Sequence, residues 1–164
     1  MKSQIILCSG GARSGKSEFA ERLALATEGR KAYVATGQAF DDEMVDRIKK
    51  HQERRGNIWT NFEIPLYLAE EWQHISSVAD VILIDCLTMF TTNHMMAHGS
   101  IQGQQDANRL EDTVLSELEA LLNLIKVSDD KIVIFVTNEI GLGIVPDNKL
   151  ARYFRDIAGR VNRT

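Results

Sequence analysis

The stretch "CSGGARSGKSEF", residues 8–19, decides how the rest of the chain reads. Within it Gly10, Gly11, Ala12, Arg13, Ser14, Gly15, Lys16 and Ser17 fit the pattern G-x-x-x-x-G-K-[ST] without a mismatch. An apolar run at 4–8 precedes the pattern. A helical run at 17–28 follows it, with Phe19, Leu23 and Ala26 on one side. Strand, glycine-rich loop and helix in that order make a phosphate-binding loop. The glycines let backbone N–H groups turn inward around an anion, and the helix N-terminus adds partial positive charge. In such a loop the lysine reaches the β- and γ-phosphates and the hydroxyl after it is a magnesium ligand, which gives Lys16 and Ser17 their expected roles. The plain alternative is a glycine-rich turn with a solvated lysine. The loop indicates nucleotide binding and leaves the reaction open.

Working outward, three more runs rich in Val and Ile read as strands, at 31–36, 81–85 and 132–137. They are almost continuously apolar, as strands covered on both faces are. A helix is expected over 106–126, where Leu110, Val114, Leu118, Leu121, Leu122 and Ile125 recur at helical spacing. Another is expected after Pro146, capped by Asp147 and burying Leu150, Phe154, Ile157 and Val161. Residues 93–105, with Met, His, Gly and Gln, read as a flexible loop. Strands alternating with helices predict an α/β fold: a P-loop NTPase-like, RecA-like, mostly parallel sheet flanked by helices. Ligands in such sheets bind beyond the carboxyl ends of the strands. No repeat or linker divides the chain, so residues 1–164 are expected to form a single P-loop nucleotide-binding domain.

The bulk numbers agree with that class. The chain is 44% hydrophobic and 26% charged, ordinary for a globular protein. Its net charge of -4 argues against a dedicated nucleic-acid partner, which usually needs a basic excess. The apolar run at 4–8 is too short for a signal peptide, and no run approaches a membrane span, so a cytoplasmic protein is expected. Cys8 and Cys86 sit in or at the end of apolar runs and read as reduced, buried thiols.

Two further places carry chemistry. The strand "VILID" ends in Asp85, a carboxylate placed where ligand and magnesium should sit; the plain alternative is an aspartate capping a loop. The segment "AFDDEMVDRIKKHQERRG", residues 39–56, reads as a helix with Arg47, His51 and Arg55 along one face. Two flanking cations suit phosphate binding and keep an imidazole neutral and nucleophilic. A solvated basic helix with an incidental histidine has the same spacing. His74, His94 and His98 show no metal-ligand pattern, and no acid or thiol lies near His94 and His98 in the sequence.

Six stretches together carry a resemblance: "GGARSGKS" (10–17), "YVATGQAFDDEMVDRIKKHQERR" (33–55), "W" with "TNFEIP" (59–65), "IDCLTMFTTN" (84–93), "VTNEIGLGIVP" (136–146) and "ARYFRDIAGRVN" (151–162). Running from end to end, they make the chain resemble the bifunctional adenosylcobinamide kinase/adenosylcobinamide-phosphate guanylyltransferases of cobalamin biosynthesis. The resemblance implies a transferase with two reactions. A nucleoside triphosphate, ATP or GTP, phosphorylates adenosylcobinamide. GMP then passes from GTP to adenosylcobinamide phosphate through a guanylyl-histidine, giving adenosylcobinamide-GDP. It puts that histidine at His51 and further nucleotide contacts at Ala35, Thr36, Gly37, Gln52, Glu53, Arg54, Arg55, Glu63 and Asp85. Glu63 then either accepts from guanine N1 and N2 or holds the ribose hydroxyls. The resemblance also implies Mg2+ at Ser17 and Asp85 and a homotrimer. Members of the family continue into a further strand and carry Gln where this chain has Arg163. With the sequence stopping at "VNRT", that strand is expected to be missing. The loop "NEIGLGIVP" reads either as a plain strand-to-helix connection or as a loop beside the corrinoid.

Overall fold

The computed structural model describes residues 2–38 and 56–164. The expected basic helix with Arg47, His51 and Arg55, and with it Gln52, Glu53 and Arg54, lies outside the described residues.

The described strands are β1 (Gln4–Gly10), β2 (Lys31–Ala35), β3 (Trp59–Glu63), β4 (Val81–Asp85) and β5 (Ile132–Asn138). They form one sheet in the order β1-β5-β4-β2-β3, and every neighbouring pair is parallel. The helices are α1 (Lys16–Ala26), α2 (Leu68–Val78), α3 (Leu87–His98), α4 (Gln104–Val127) and α5 (Lys149–Val161).

Parallel strands need crossovers, and the crossovers cover both faces of the sheet. The central strand β4 shows the result. Val81, Ile82, Leu83 and Ile84 are all at most 1% exposed, because alternate side chains meet opposite layers. On one face Leu83, with Tyr33, Ile134 and Val136, packs with Ala20 and Ala24 of α1. On the other face Ile82 and Ile84, with Val34 and Phe135, pack against Trp72 of α2, Phe90 of α3, Leu118 of α4 and Ile157 of α5. Each such large apolar side chain contributes about 1.5–3 kcal/mol of burial. The α1 layer uses alanines, which lets the helix following the phosphate loop lie close to the sheet.

Several expectations need correction. β3 was unforeseen because "WTNFE" is an edge strand: only Trp59 is buried, and Thr60, Asn61 and Glu63 are exposed. The expected loop at 93–105 is helical for most of its length. α3 continues to His98 and α4 begins at Gln104. The helix after Pro146 is capped by Asn148, not Asp147, and its Oδ1 accepts from the N–H groups of Leu150 at 2.8 Å and Ala151 at 3.2 Å. Ile157 and Val161 are buried as expected, but Leu150 is 53% exposed and Phe154 half-buried.

The amino ends of β2, β4 and β5 are fastened by one carboxylate. Asp80 Oδ2 accepts from the backbone N–H and Nε of Arg30, both at 3.0 Å. Its Oδ1 accepts from Arg30 Nη2 at 3.0 Å and Lys131 Nζ at 3.3 Å. The Arg30 bonds hold the Asp80 carboxyl well below the usual carboxylate range. A depressed folded-state pKa gives stability that is present above the unfolded value, about 3.9, and lost as pH falls through the folded one. In denaturant titrations the wild type should therefore lose stability below about pH 4 more steeply than Asp80→Asn. The variant should start less stable at pH 7 and show a flatter acid limb.

Candidate active site

The phosphate loop is built by backbone conformation more than by side chains. β1 ends at Gly10, whose carbonyl accepts from Glu139 N–H at 2.9 Å, tying the loop's start to the end of β5. Residues 11–15 are exposed. Arg13 and Gly15 both take left-handed backbone conformations, with φ of 56° and 81°. Gly15 is the N-cap of α1, and a side chain there would be strained. At Gly10 an added Cβ would meet Ser14 Oγ at 2.7 Å, so a larger residue would disturb the loop's inner turn. The first N–H groups of α1 have no intrahelical partner by construction and are available to an anion. Lys16 Nζ donates to Gly11 O at 3.2 Å, which folds its ammonium back over the loop.

A row of residues runs across the sheet beside this loop. The strand register aligns Cys8 with Val136, Val136 with Asp85, Asp85 with Ala35, and Ala35 with Glu63. Ala35, Glu63 and Asp85 therefore reach the carboxyl edge at one level, with Thr36 and Gly37 just beyond. Asp85 is half-buried, and its Oδ2 accepts from Tyr33 O–H at 2.8 Å. A carboxylate has about four lone-pair sites, so this bond orients the group without exhausting it.

Thr36 behaves differently from the exposed loop. It is fully buried. Its hydroxyl donates to Cys86 O at 2.7 Å and accepts from Cys86 N–H at 2.8 Å, while its own N–H donates to Asp85 O at 3.0 Å. Asn93 Nδ2 then donates to Thr36 O at 2.7 Å and to Pro65 O at 3.0 Å. The ends of β2 and β4 and the segment after β3 are thus held by Thr36 and Asn93. Sequence reasoning missed Tyr33 and Asn93; the only signal was a polar group at an otherwise apolar position.

The oxygen donors suit magnesium. That ion is commonly held by one or two carboxylates, with phosphate oxygens and waters completing six positions. Ser17, half-buried in the first turn of α1, and Asp85 at the end of β4 supply one hydroxyl and one carboxylate. Among the described residues no group of three or more His, Cys, Asp or Glu side chains can hold a metal.

Cys8 and Cys86 are both free and buried. Burial pushes both thiols up, and the Asp85 charge adds to the effect on Cys86, so neither is poised as a nucleophile. His94 and His98 are helical, not in a loop. His94 is buried against the rings of Phe90 and Tyr67, and burial lowers its pKa. His98 does have a nearby acid, contrary to the sequence reading: its Nε2 lies 3.0 Å from Asp106 Oδ1 at the start of α4. Among the described residues no helix is long and apolar enough to cross a membrane.

Fold and loop together define a phosphate-loop nucleotide-binding α/β protein. Two solved structures share the fold. One is a prototypical ATPase from the type III secretion system of pathogenic bacteria, with a TM-score of 0.61 and 13% identity over 98% of this chain. The match spans 48% of that ATPase, about half its length. The other is the RadB recombinase, with a TM-score of 0.50 and 18% identity over 93% of this chain and 70% of its own. At such identities the likeness concerns the fold alone. The family model described as cobinamide kinase / cobinamide phosphate guanyltransferase, CobU, matches residues 6–164. The chain belongs to that family of enzymes. It is 38% identical to the bifunctional adenosylcobalamin biosynthesis protein CobU of Escherichia coli over 97% of this chain and 88% of the relative. It is 40% identical to the CobU of Salmonella typhimurium over the same shares. The corresponding protein CobP of Pseudomonas aeruginosa is 40% identical over 93% of this chain and 82% of its own.

Proposed function

We propose that this chain carries out both reactions of its family: phosphorylation of adenosylcobinamide, then transfer of GMP from GTP to adenosylcobinamide phosphate. The family match across residues 6–164, over a phosphate loop with the backbone geometry described, is the observation that carries this reading.

In the kinase step the backbone N–H groups of Gly10 to Ser17 and the Lys16 ammonium hold the triphosphate. The substrate's aminopropanol hydroxyl oxygen attacks the γ-phosphorus, the bond to the β–γ bridging oxygen breaks, and the hydroxyl proton passes to solvent. Mg2+ at Ser17 and Asp85 would neutralise charge on the β- and γ-oxygens. Tyr33 keeps the Asp85 carboxylate oriented for that duty.

In the transfer step the unprotonated ring nitrogen of His51 attacks the α-phosphorus of GTP. A P–N bond forms, the bond to the bridging oxygen breaks and pyrophosphate leaves; the second ring nitrogen keeps its proton. An oxygen of adenosylcobinamide phosphate then attacks the same phosphorus, the P–N bond breaks and neutral His51 returns. Ala35, Gly37, Gln52, Glu53, Arg54 and Arg55 are assigned to the guanine nucleotide. Thr36, with its side chain committed to Cys86, is a positioning residue in this scheme. Glu63 is assigned to guanine N1 and N2. Loss of the preference for GTP over ITP in Glu63→Gln would support this, and a retained preference would move Glu63 to the ribose. A cytoplasmic homotrimer completes the reading, and light scattering tests the assembly.

The competing reading is a phosphate-loop kinase that never binds GMP covalently. Incubation with magnesium and GTP labelled at the α-phosphate, followed by denaturation, separates the two. Label that stays on the protein, survives alkali and is released by acid identifies a phosphoramidate. A protein that binds GTP yet retains no label is a kinase only or an inactive nucleotide-binding relative, and γ-phosphate transfer to adenosylcobinamide separates those two.

A further inference from the structure

We infer that the loop after β5 presents an apolar platform, formed by Leu142, Ile144 and Val145, on which the macrocycle of cobinamide rests while its aminopropanol arm reaches the phosphate loop. This inference rests on the function proposed above.

Leu142 is 91% exposed and Ile144 97%, the two most exposed large hydrophobic side chains among the described residues, with Val145 at 59% and Leu150 at 53% beside them in sequence. Large aliphatic groups scattered singly on a surface need no explanation, but four within nine residues do. The loop that carries them is fastened at both ends. At its start Glu139 N–H donates to Gly10 O, and Glu139 Oε1 accepts from Gly141 N–H at 2.5 Å. At its end Arg152 Nη1 donates to Pro146 O at 2.8 Å and to Asp147 O at 2.6 Å. The apolar side chains therefore point outward from a tethered loop.

Its position sets the occupant. Asn138 is the register partner of Gly10, the first residue of the phosphate-loop pattern. Leu142 lies four positions further along, at most about 14 Å of extended chain. A macrocyclic substrate whose arm ends at the γ-phosphate must rest its ring on surface within roughly that reach of the loop. The ring's broad face and methyl groups match aliphatic side chains, and its amide arms can stay in water at the rim. Nucleotide needs no apolar platform there, because its phosphates are taken by backbone N–H groups. The platform thus contributes to binding of the corrinoid in both reactions and leaves guanylylation of the enzyme untouched.

The test compares the wild type with a Leu142→Ser/Ile144→Ser double variant, both exposed positions whose change leaves the core intact. The expected result is a KM for cobinamide raised about tenfold or more, the scale of one or two lost apolar contacts. The KM for GTP and the retention of α-label on the protein should stay unchanged, and a Leu142→Met/Ile144→Leu variant should restore the cobinamide KM. An unchanged cobinamide KM in the serine variant overturns the inference. So does a change of assembly size by light scattering with no change in cobinamide KM, which would make the loop a contact between copies of this chain. If the wild type itself retains no label, the failure belongs to the covalent-transfer reading, and the cobinamide KM of the kinase step still decides the platform.

Discussion

His51→Ala should abolish guanylyl transfer while leaving the phosphorylation of adenosylcobinamide within a few-fold of wild type. Deleting a covalent nucleophile typically costs on the order of 10⁵–10⁶ in rate, because water or substrate must then attack without the intermediate. The kinase step has no such dependence. In the proposed mechanism its phosphate contacts come from residues 10–17, a loop that lies between β1 and α1 and is tied to the end of β5, and its acid from the end of β4. The check is a paired assay on one preparation, following γ-phosphate transfer and α-label retention separately. Equal loss of both activities would place His51 among the phosphate-gripping side chains. Survival of both would remove its covalent role.

The split follows from how the site is distributed along the chain. The phosphate loop was legible as a string because its requirements are local: a strand end, glycines at fixed offsets, a lysine and a hydroxyl opening a helix. Asp85 was legible because a carboxylate stood out at the end of an apolar strand. What could not be read is the bracing between strands. Thr36, Cys86 and Asn93 are far apart in sequence, and their hydrogen bonds exist only once β2 and β4 lie side by side.

α3 was missed for a related reason. It buries Thr88, Thr91, Asn93 and His94 as well as Leu87 and Phe90, so no apolar stripe marks its inner face. Its threonines satisfy themselves within the helix, Thr91 donating to Leu87 O at 2.9 Å and Thr92 to Thr88 O at 3.0 Å. Polar residues at buried positions disguised the helix as a loop. β3 failed in the opposite sense, since an edge strand with exposed polar residues looks like a turn. By contrast α4, with Leu110, Val114, Leu118, Leu121 and Ile125 all buried, matched its sequence pattern to within two residues at either end.

Lys16→Ala should remove both activities, and the structure explains why its effect will be confined to catalysis. The only interaction of Lys16 described is the exposed bond from its Nζ to Gly11 O, and a solvent-exposed bond of that kind adds little to stability. Its side chain is half-buried at the first position of α1, where alanine is a better helix former. The melting temperature should therefore stay near that of the wild type. In the transition states of the proposed mechanism, however, the ammonium would face charge developing on the phosphates: the β-oxygens as the γ-phosphoryl departs, and pyrophosphate as His51 attacks. Removing one such preorganised donor costs about 10²–10³ in kcat. Both steps should fall by at least this factor, with a smaller loss in nucleotide affinity because the loop's backbone N–H groups remain. Lys16→Arg should recover little, since the wider guanidinium enters a turn already tight enough for a Cβ on Gly10 to collide with Ser14. A variant that lost the kinase step and kept full guanylylation would show that the two triphosphates bind in different places. A variant that lost neither would remove Lys16 from the catalytic machinery altogether.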